Sequence, residues 1–144
     1  NFYGYMGDMS RVFSIGRLPE QAYTAHQTCI EIQEEIVAMA KPGTVCEDMY
    51  NKAIEIVTKA GFADYFMGVD QKAKFIGHGI GLEINEMPVL APRMKQELEP
   101  GMVFALEPKI VLPGIGPVGI ENSWAVTTDG LEKLTLCKEE IIEL

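Results

Sequence analysis

Basic side chains are scarce in this sequence: 12 Lys and Arg stand against 21 Asp and Glu, for a formal net charge of -9. That balance argues against nucleic acid as a partner, because phosphates demand clustered Lys and Arg. Cysteine is equally sparse. Cys29, Cys46 and Cys137 are widely separated and lack any CxxC spacing, which excludes a disulfide framework or zinc finger and suits a reducing compartment. No apolar run approaches the roughly 20 residues of a membrane span. No basic-then-apolar signal segment opens the chain. There is also no initiator Met, and Asn1 to Tyr5 reads like the inside of a β-hairpin. The expectation is a piece of a longer, cytoplasmic protein.

What is present suits a single compact unit. The 144 residues are 47% hydrophobic and 23% charged, enough for one real core. Met9 to Ile15 is apolar enough for a buried strand. Pro19 opens a helix at a tolerated position. Ala22, Ala25, Cys29, Ile32, Ile36 and Met39 recur at three- and four-residue steps, with Glu31, Glu34 and Glu35 largely off that stripe. Lys41-Pro42-Gly43 stops it. Thr44-Val45-Cys46-Glu47 has the form of a capping box for a second helix, whose apolar face is Met49, Ala53, Ile56, Val57 and Ala60. Gly61 is the expected left-handed cap.

Residues 62–77 are irregular, with a short strand possible over Lys72 to Ile76 leading into a glycine-rich loop around His78. The C-terminal third is β-rich. Met102 to Leu106 and Lys109 to Leu112 read as one strand interrupted by Pro108, Val118 to Thr127 as its partner, and Leu131 to Leu136 as a return after an Asp129-Gly130 turn. Strands packed on two long helices make an α+β layer.

Four residues carry candidate chemistry. Glu107 and Glu121 stand inside apolar, strand-like runs. A buried carboxylate must protonate, pair or bind a cation. Lys109 is the nearest base to Glu107, and none lies close to Glu121 in sequence. His78, one of two histidines, is flanked by Gly77, Gly79 and Gly81, which can let backbone approach an ion or substrate. Asp8 sits in a turn-rich segment. One imidazole and three carboxylates are the ingredients of a hard, divalent-metal hydrolytic site. Taken singly, each residue is equally compatible with a satisfied turn, core or surface position.

Order and context are more specific. Gly-Tyr-x-x-Asp-x-Ser-Arg-x-Phe at 4–13 is followed by Lys-Pro-Gly at 41–43 and Gly-His-Gly-Ile-Gly-Leu-Glu at 77–83. Then come Glu-Pro-Gly-Met-Val-Phe-x-x-Glu-Pro at 99–108 and Gly-Ile-Glu-Asn at 119–122. This series resembles the metallopeptidases of the aminopeptidase P and prolidase type, relatives of methionine aminopeptidase and creatinase. The resemblance covers essentially the whole chain.

It implies the C-terminal part of a pita-bread catalytic domain, an α+β fold with a curved antiparallel sheet covered by two long helices, residues 1–144 forming one partial domain. It further implies two divalent metals in the complete domain, Mn²⁺ or Co²⁺ first and Zn²⁺ or Fe²⁺ as alternatives. The ligands it implies here are Asp8, His78, Glu107 and Glu121. A fifth ligand, an Asp eleven residues before Asp8, would precede Asn1, so these residues would hold one ion better than the second. Glu107 is implied as the proton acceptor as well as a ligand. The implied activity is hydrolysis of an N-terminal peptide bond, Xaa-Pro preferred, by a homodimer.

Two positions depart from that pattern. Asn85 stands where these peptidases usually carry a second His. Asn can donate a hydrogen bond to an oxyanion but cannot change charge near neutral pH. Gly119 stands where an Arg often precedes the last ligand motif. A second reading is therefore a pita-bread pseudoenzyme that binds peptide or protein without cleaving it.

Overall fold

The computed structural model describes residues 2–144; Asn1, the first residue of the expected N-terminal hairpin, lies outside them. Phe2 and Tyr5 pair across a tight turn in which Tyr3 and Gly4 both have positive φ. Two helices follow, α1 over Glu20–Met39 and α2 over Cys46–Lys59. The expected apolar stripe is the buried face of α1, with Met39 only partly buried, and Glu31, Glu34 and Glu35 are exposed. In α2, Met49, Ala53, Ile56 and Val57 are buried, whereas Ala60 at the C-cap is exposed. Gly61 has the left-handed φ of +81° expected of a helix stop.

The capping box does not form. Thr44 Oγ1 instead accepts a hydrogen bond from the Lys41 N–H at 3.0 Å. The free amides of the first turn of α2 are met from far along the chain: Cys46 donates to the Gln96 carbonyl and Glu47 to Met94. The Glu47 carboxylate in turn accepts from the Arg93 amide and pairs with Lys95.

Among the described residues nine strands complete the fold: β1 Phe13–Ser14, β2 Gly77–Gly79, β3 Glu86–Leu90, β4 Val103–Leu106, β5 Lys109–Leu112, β6 Gly116–Gly119, β7 Asn122–Val126, β8 Leu131–Lys133 and β9 Ile142–Glu143. The main sheet is five-stranded and antiparallel, in the order β3-β2-β4-β7-β8. β5 and β6 pair apart from it, and β1 runs parallel to β9. Helix α1 packs on β5, β6 and α2, while α2 packs on β3. Phe104, Leu106, Ile110, Leu112, Val118, Ile120 and Val126 meet Ile32, Ile36 and Met49 in one core.

Four strand expectations need correction. The return after Asp129-Gly130 is strand only over Leu131–Lys133, not on to Leu136. Met9 to Ile15 is not a buried strand: only Phe13–Ser14 is strand, and Met9, Phe13 and Ile15 are exposed. Lys72 to Ile76 is not a strand. His78 lies in one, not in a loop, between β3 and β4. Its flanking glycines serve that packing: a Cβ on Gly77 would lie 2.4 Å from the Ala105 carbonyl oxygen, and one on Gly79 would lie 2.2 Å from that of Met87. They admit neighbouring strands, not an ion.

Candidate metal centre

The site grows from one long hairpin. Leu106 faces Asn122 at the end of the β4–β7 ladder, and Lys109 faces Gly119 in the β5–β6 ladder. The register is continuous, so the two pairs between are Glu107 with Glu121 and Pro108 with Ile120. Pro108 has no N–H to return across the ladder, and the regular pairing opens there. Alternation then sorts the side chains. Leu106, Ile110, Val118 and Ile120 turn to the core, while Glu107, Lys109, Gly119 and Glu121 share the other face.

The opened backbone recruits the other candidates. The Glu107 amide donates to the Ile76 carbonyl at 2.8 Å, next to the strand that carries His78. The Glu121 amide donates to Ser10 at 3.3 Å, two residues after Asp8. Ser123 Oγ fixes the Asp8 carbonyl at 2.8 Å. Asp8, His78 and Glu121 each offer a ligand atom, all within 4.8 Å of one another. His78 Nε2 is 3.8 Å from Asp8 Oδ2 and 3.6 Å from Glu107 Oε1. Two ligands about 2.0–2.2 Å from one cation lie roughly 3–4.4 Å apart, a range that includes the separations of His78 from Asp8 and from Glu107.

The imidazole is oriented for that role. His78 Nδ1 lies 3.1 Å from the Gly79 carbonyl oxygen. With the proton on Nδ1, Nε2 carries its lone pair toward the carboxylates. Phe75 packs edge-on against the ring, with centroids 5.9 Å apart.

Glu107 differs from the other three in having its own cation. Lys109 Nζ, the nearest base in sequence, donates to Glu107 Oε2 at 2.6 Å. Glu121 is buried and bonded instead by Ser10 Oγ at 2.6 Å. Burial pushes its carboxyl above the ordinary range, and the charges of Asp8 and Glu107 add to the rise; the Ser10 bond and His78 oppose it. Asn85 is outside the cluster. It is exposed and shares with His78 a concavity of about 310 Å³. A second concavity, of about 270 Å³, lies beside Glu107, Lys109, Gly119 and Glu121.

Three supporting residues escaped the sequence reading as individuals. Arg11 donates to the Glu121 carbonyl at 2.8 Å and to Asn122 Oδ1 at 2.8 Å. Asn122 Nδ2 donates to Gln33 Oε1 at 2.7 Å. Gln33 was legible as an anomaly: it stands four residues after Cys29 and three before Ile36, on the apolar stripe of α1.

Residues 1–128 match metallopeptidase family M24. The chain belongs to this family. An Xaa-Pro dipeptidase from Pyrococcus furiosus is 33% identical over 138 residues, covering 96% of this chain and 38% of the relative. One from Lactobacillus helveticus is 35% identical over 132 residues, covering 92% of this chain and 34% of the relative. Among solved structures, an X-Pro aminopeptidase from Thermotoga maritima superposes with a TM-score of 0.89 at 30% identity, over 98% of this chain and 38% of that one. A dipeptidase from Pyrococcus horikoshii gives 0.89 at 32% identity, over 98% and 38%. The M24 chain thus has the expected α+β pita-bread architecture and spans little more than a third of the relatives' length. Divalent metal use comes with membership of a metallopeptidase family.

Proposed function

We propose that the protein to which these residues belong is a metal-dependent exopeptidase that hydrolyses the N-terminal peptide bond of peptides, Xaa-Pro preferred, in the manner of an aminopeptidase P or Xaa-Pro dipeptidase. The observation that carries this reading is the convergence of Asp8, His78 and Glu121, with Glu107 3.6 Å from the same imidazole nitrogen. The Xaa-Pro dipeptidases named above support the substrate class.

In this reading Asp8, His78, Glu107 and Glu121 hold divalent metal, two ions in the complete domain, with Mn²⁺ or Co²⁺ first. Bound metal supplies a hydroxide near neutral pH and polarises the scissile carbonyl. Glu107 would take the water's proton, the role the family resemblance assigns it, while its second oxygen is held by Lys109. The contact of His78 Nδ1 with the Gly79 carbonyl leaves Nε2 facing the carboxylates. Asn85, on the rim shared with His78, offers its amide to the carbonyl or oxyanion of the substrate. A homodimer in the cytoplasm is the remaining part of the reading. Among the described residues, no helix is long and apolar enough to cross a membrane.

A peptide- or protein-binding pseudoenzyme is the second reading, favoured by the placement of Asn85 outside the ligand cluster. Hydrolysis of Xaa-Pro peptides by the full-length protein with Mn²⁺ separates the two. Release of the N-terminal residue supports the peptidase; binding without release under all tested metals rejects it.

A further inference from the structure

We infer that Gln33 is a positioning residue that sets the separation of the Glu107 and Glu121 carboxylates, and through it the metal affinity. The inference rests on the assignment of those two residues as metal ligands.

Gln33 lies in α1, on the core side of the hairpin, and is 4% exposed. Its Nε2 donates to the Leu106 carbonyl at 2.7 Å and to the Ile120 carbonyl at 3.1 Å. These are the residues immediately before Glu107 and Glu121. A carbonyl and the following amide belong to one rigid peptide plane. The plane entering Glu107 is therefore held at its oxygen by Gln33 and at its nitrogen by Ile76; the plane entering Glu121 is held by Gln33 and by Ser10. Fixing both planes fixes the directions in which the two side chains leave the backbone.

The need for an outside donor follows from the hairpin itself. Ile120 faces Pro108 and donates to its carbonyl at 3.3 Å, but proline has no N–H to return. Gln33 provides the missing donor to Ile120. The amide cannot be flipped without cost, because Oε1 accepts from Asn122 Nδ2 at 2.7 Å, and Asn122 is itself held by Arg11. One buried amide thus bridges two strands where two like charges face each other and would push the gap open.

The test is calorimetric titration of the full-length protein with Mn²⁺, beside metal-free thermal unfolding. Gln33→Met keeps the volume and removes the donors. A core variant of matched stability, such as Ile32→Val or Ile32→Ala, is the control. Gln33→Met is expected to weaken Mn²⁺ binding by about tenfold or more, the scale of lost outer-shell bonds, while the control stays within about twofold of wild type. Equal affinities in Gln33→Met and the control overturn the inference. If Gln33→Met does not fold, Asn122→Ala, which frees the amide to rotate, must weaken binding by about threefold or more; unchanged affinity there overturns the inference as well. Absence of Mn²⁺ binding in the wild type would instead reject the ligand assignment itself, and the inference with it.

Discussion

In a hairpin whose register runs in one phase from Val103–Ala125 to Leu112–Gly116, Glu107 falls opposite Glu121. Facing carboxylates repel. Relief comes from three sides: Lys109 on Glu107, Ser10 on Glu121, and the imidazole of His78 between Glu107 and Asp8. The proposed metal binding would account for such a costly pair in the middle of a fold.

The first prediction concerns Glu121. Its folded carboxyl lies above the ordinary value of 4.5, chiefly through burial. The fold therefore prefers the protonated form. That stabilising contribution is complete below about pH 4.5 and is lost as pH rises through the higher folded value. At pH 7 without metal, Glu121→Gln is expected to unfold at the same denaturant concentration as wild type or a higher one. Added Mn²⁺ should stabilise only the wild type, by about 2.7 kcal/mol at a hundredfold excess over Kd. A metal-induced shift of the same size in the variant would remove Glu121 from the ligand set.

His26 gives a second, independent pH effect. It is buried in α1, its Nε2 has no hydrogen-bond partner among the described residues, and burial, aided by Arg11, holds its pKa below the ordinary 6.5. The unfolded chain thus binds the proton more readily. Stability from the neutral ring is complete above pH 6.5 and falls as pH drops toward the lower folded value. Denaturant midpoints measured in chelator at pH 7.5 and 5.5 should decrease for wild type, and decrease less for His26→Gln. Parallel curves for the two proteins would place the acid sensitivity elsewhere.

Lys109 is expected to compete with metal for Glu107. The pair is partly exposed, and such pairs are worth roughly 0.2–1 kcal/mol. Lys109→Met should then tighten Mn²⁺ binding by up to about fivefold in a titration; weaker binding would make the ammonium a helper and not a rival. Opposite Lys109, Gly119 leaves no room for a side chain. An added Cβ would stand 2.5 Å from the Pro108 carbonyl and 2.8 Å from Lys109 Cα. Gly119→Ala should cost about 1–3 kcal/mol in urea unfolding.

Asn85→His tests the position where the usual second imidazole is missing. In the full-length protein with metal, the substitution is expected to raise kcat on an Xaa-Pro peptide by about tenfold or more, with a new ionisation near pH 6–7 in the rate profile. An unchanged rate and profile would show that this rim position takes no part in proton transfer.

Much of this arrangement was readable in the residues, and the failures share a cause. Both helices were legible because their apolar stripes recur locally. So was the special character of Glu107 and Glu121, each a charge inside an otherwise apolar run. The capping box failed because Cys46 and Glu47 found carbonyl partners on Gln96 and Met94, about 50 residues further along the chain and invisible to any local rule. The His78 segment looked like a loop because glycines usually mean turns. Here Gly77 and Gly79 are small so that β3 and β4 can close on either side. Met9 to Ile15 had the composition of a core strand, but its partners are Glu121 on one side and the C-terminal β9 on the other, with most of its apolar side chains exposed.

The constant register also divides the hairpin into parts with different freedom to vary. Pro113, Gly114 and Ile115 form its tip, beyond the last shared pair of Leu112 with Gly116. A loop of another length could be grafted there without moving a carboxylate. One residue inserted between Glu107 and that tip, on one arm only, would slide Glu107 past Glu121 and exchange the faces of every side chain beyond it. Natural insertions in homologous hairpins should therefore collect at the tip, and the count of residues in each arm should behave as an invariant of the site.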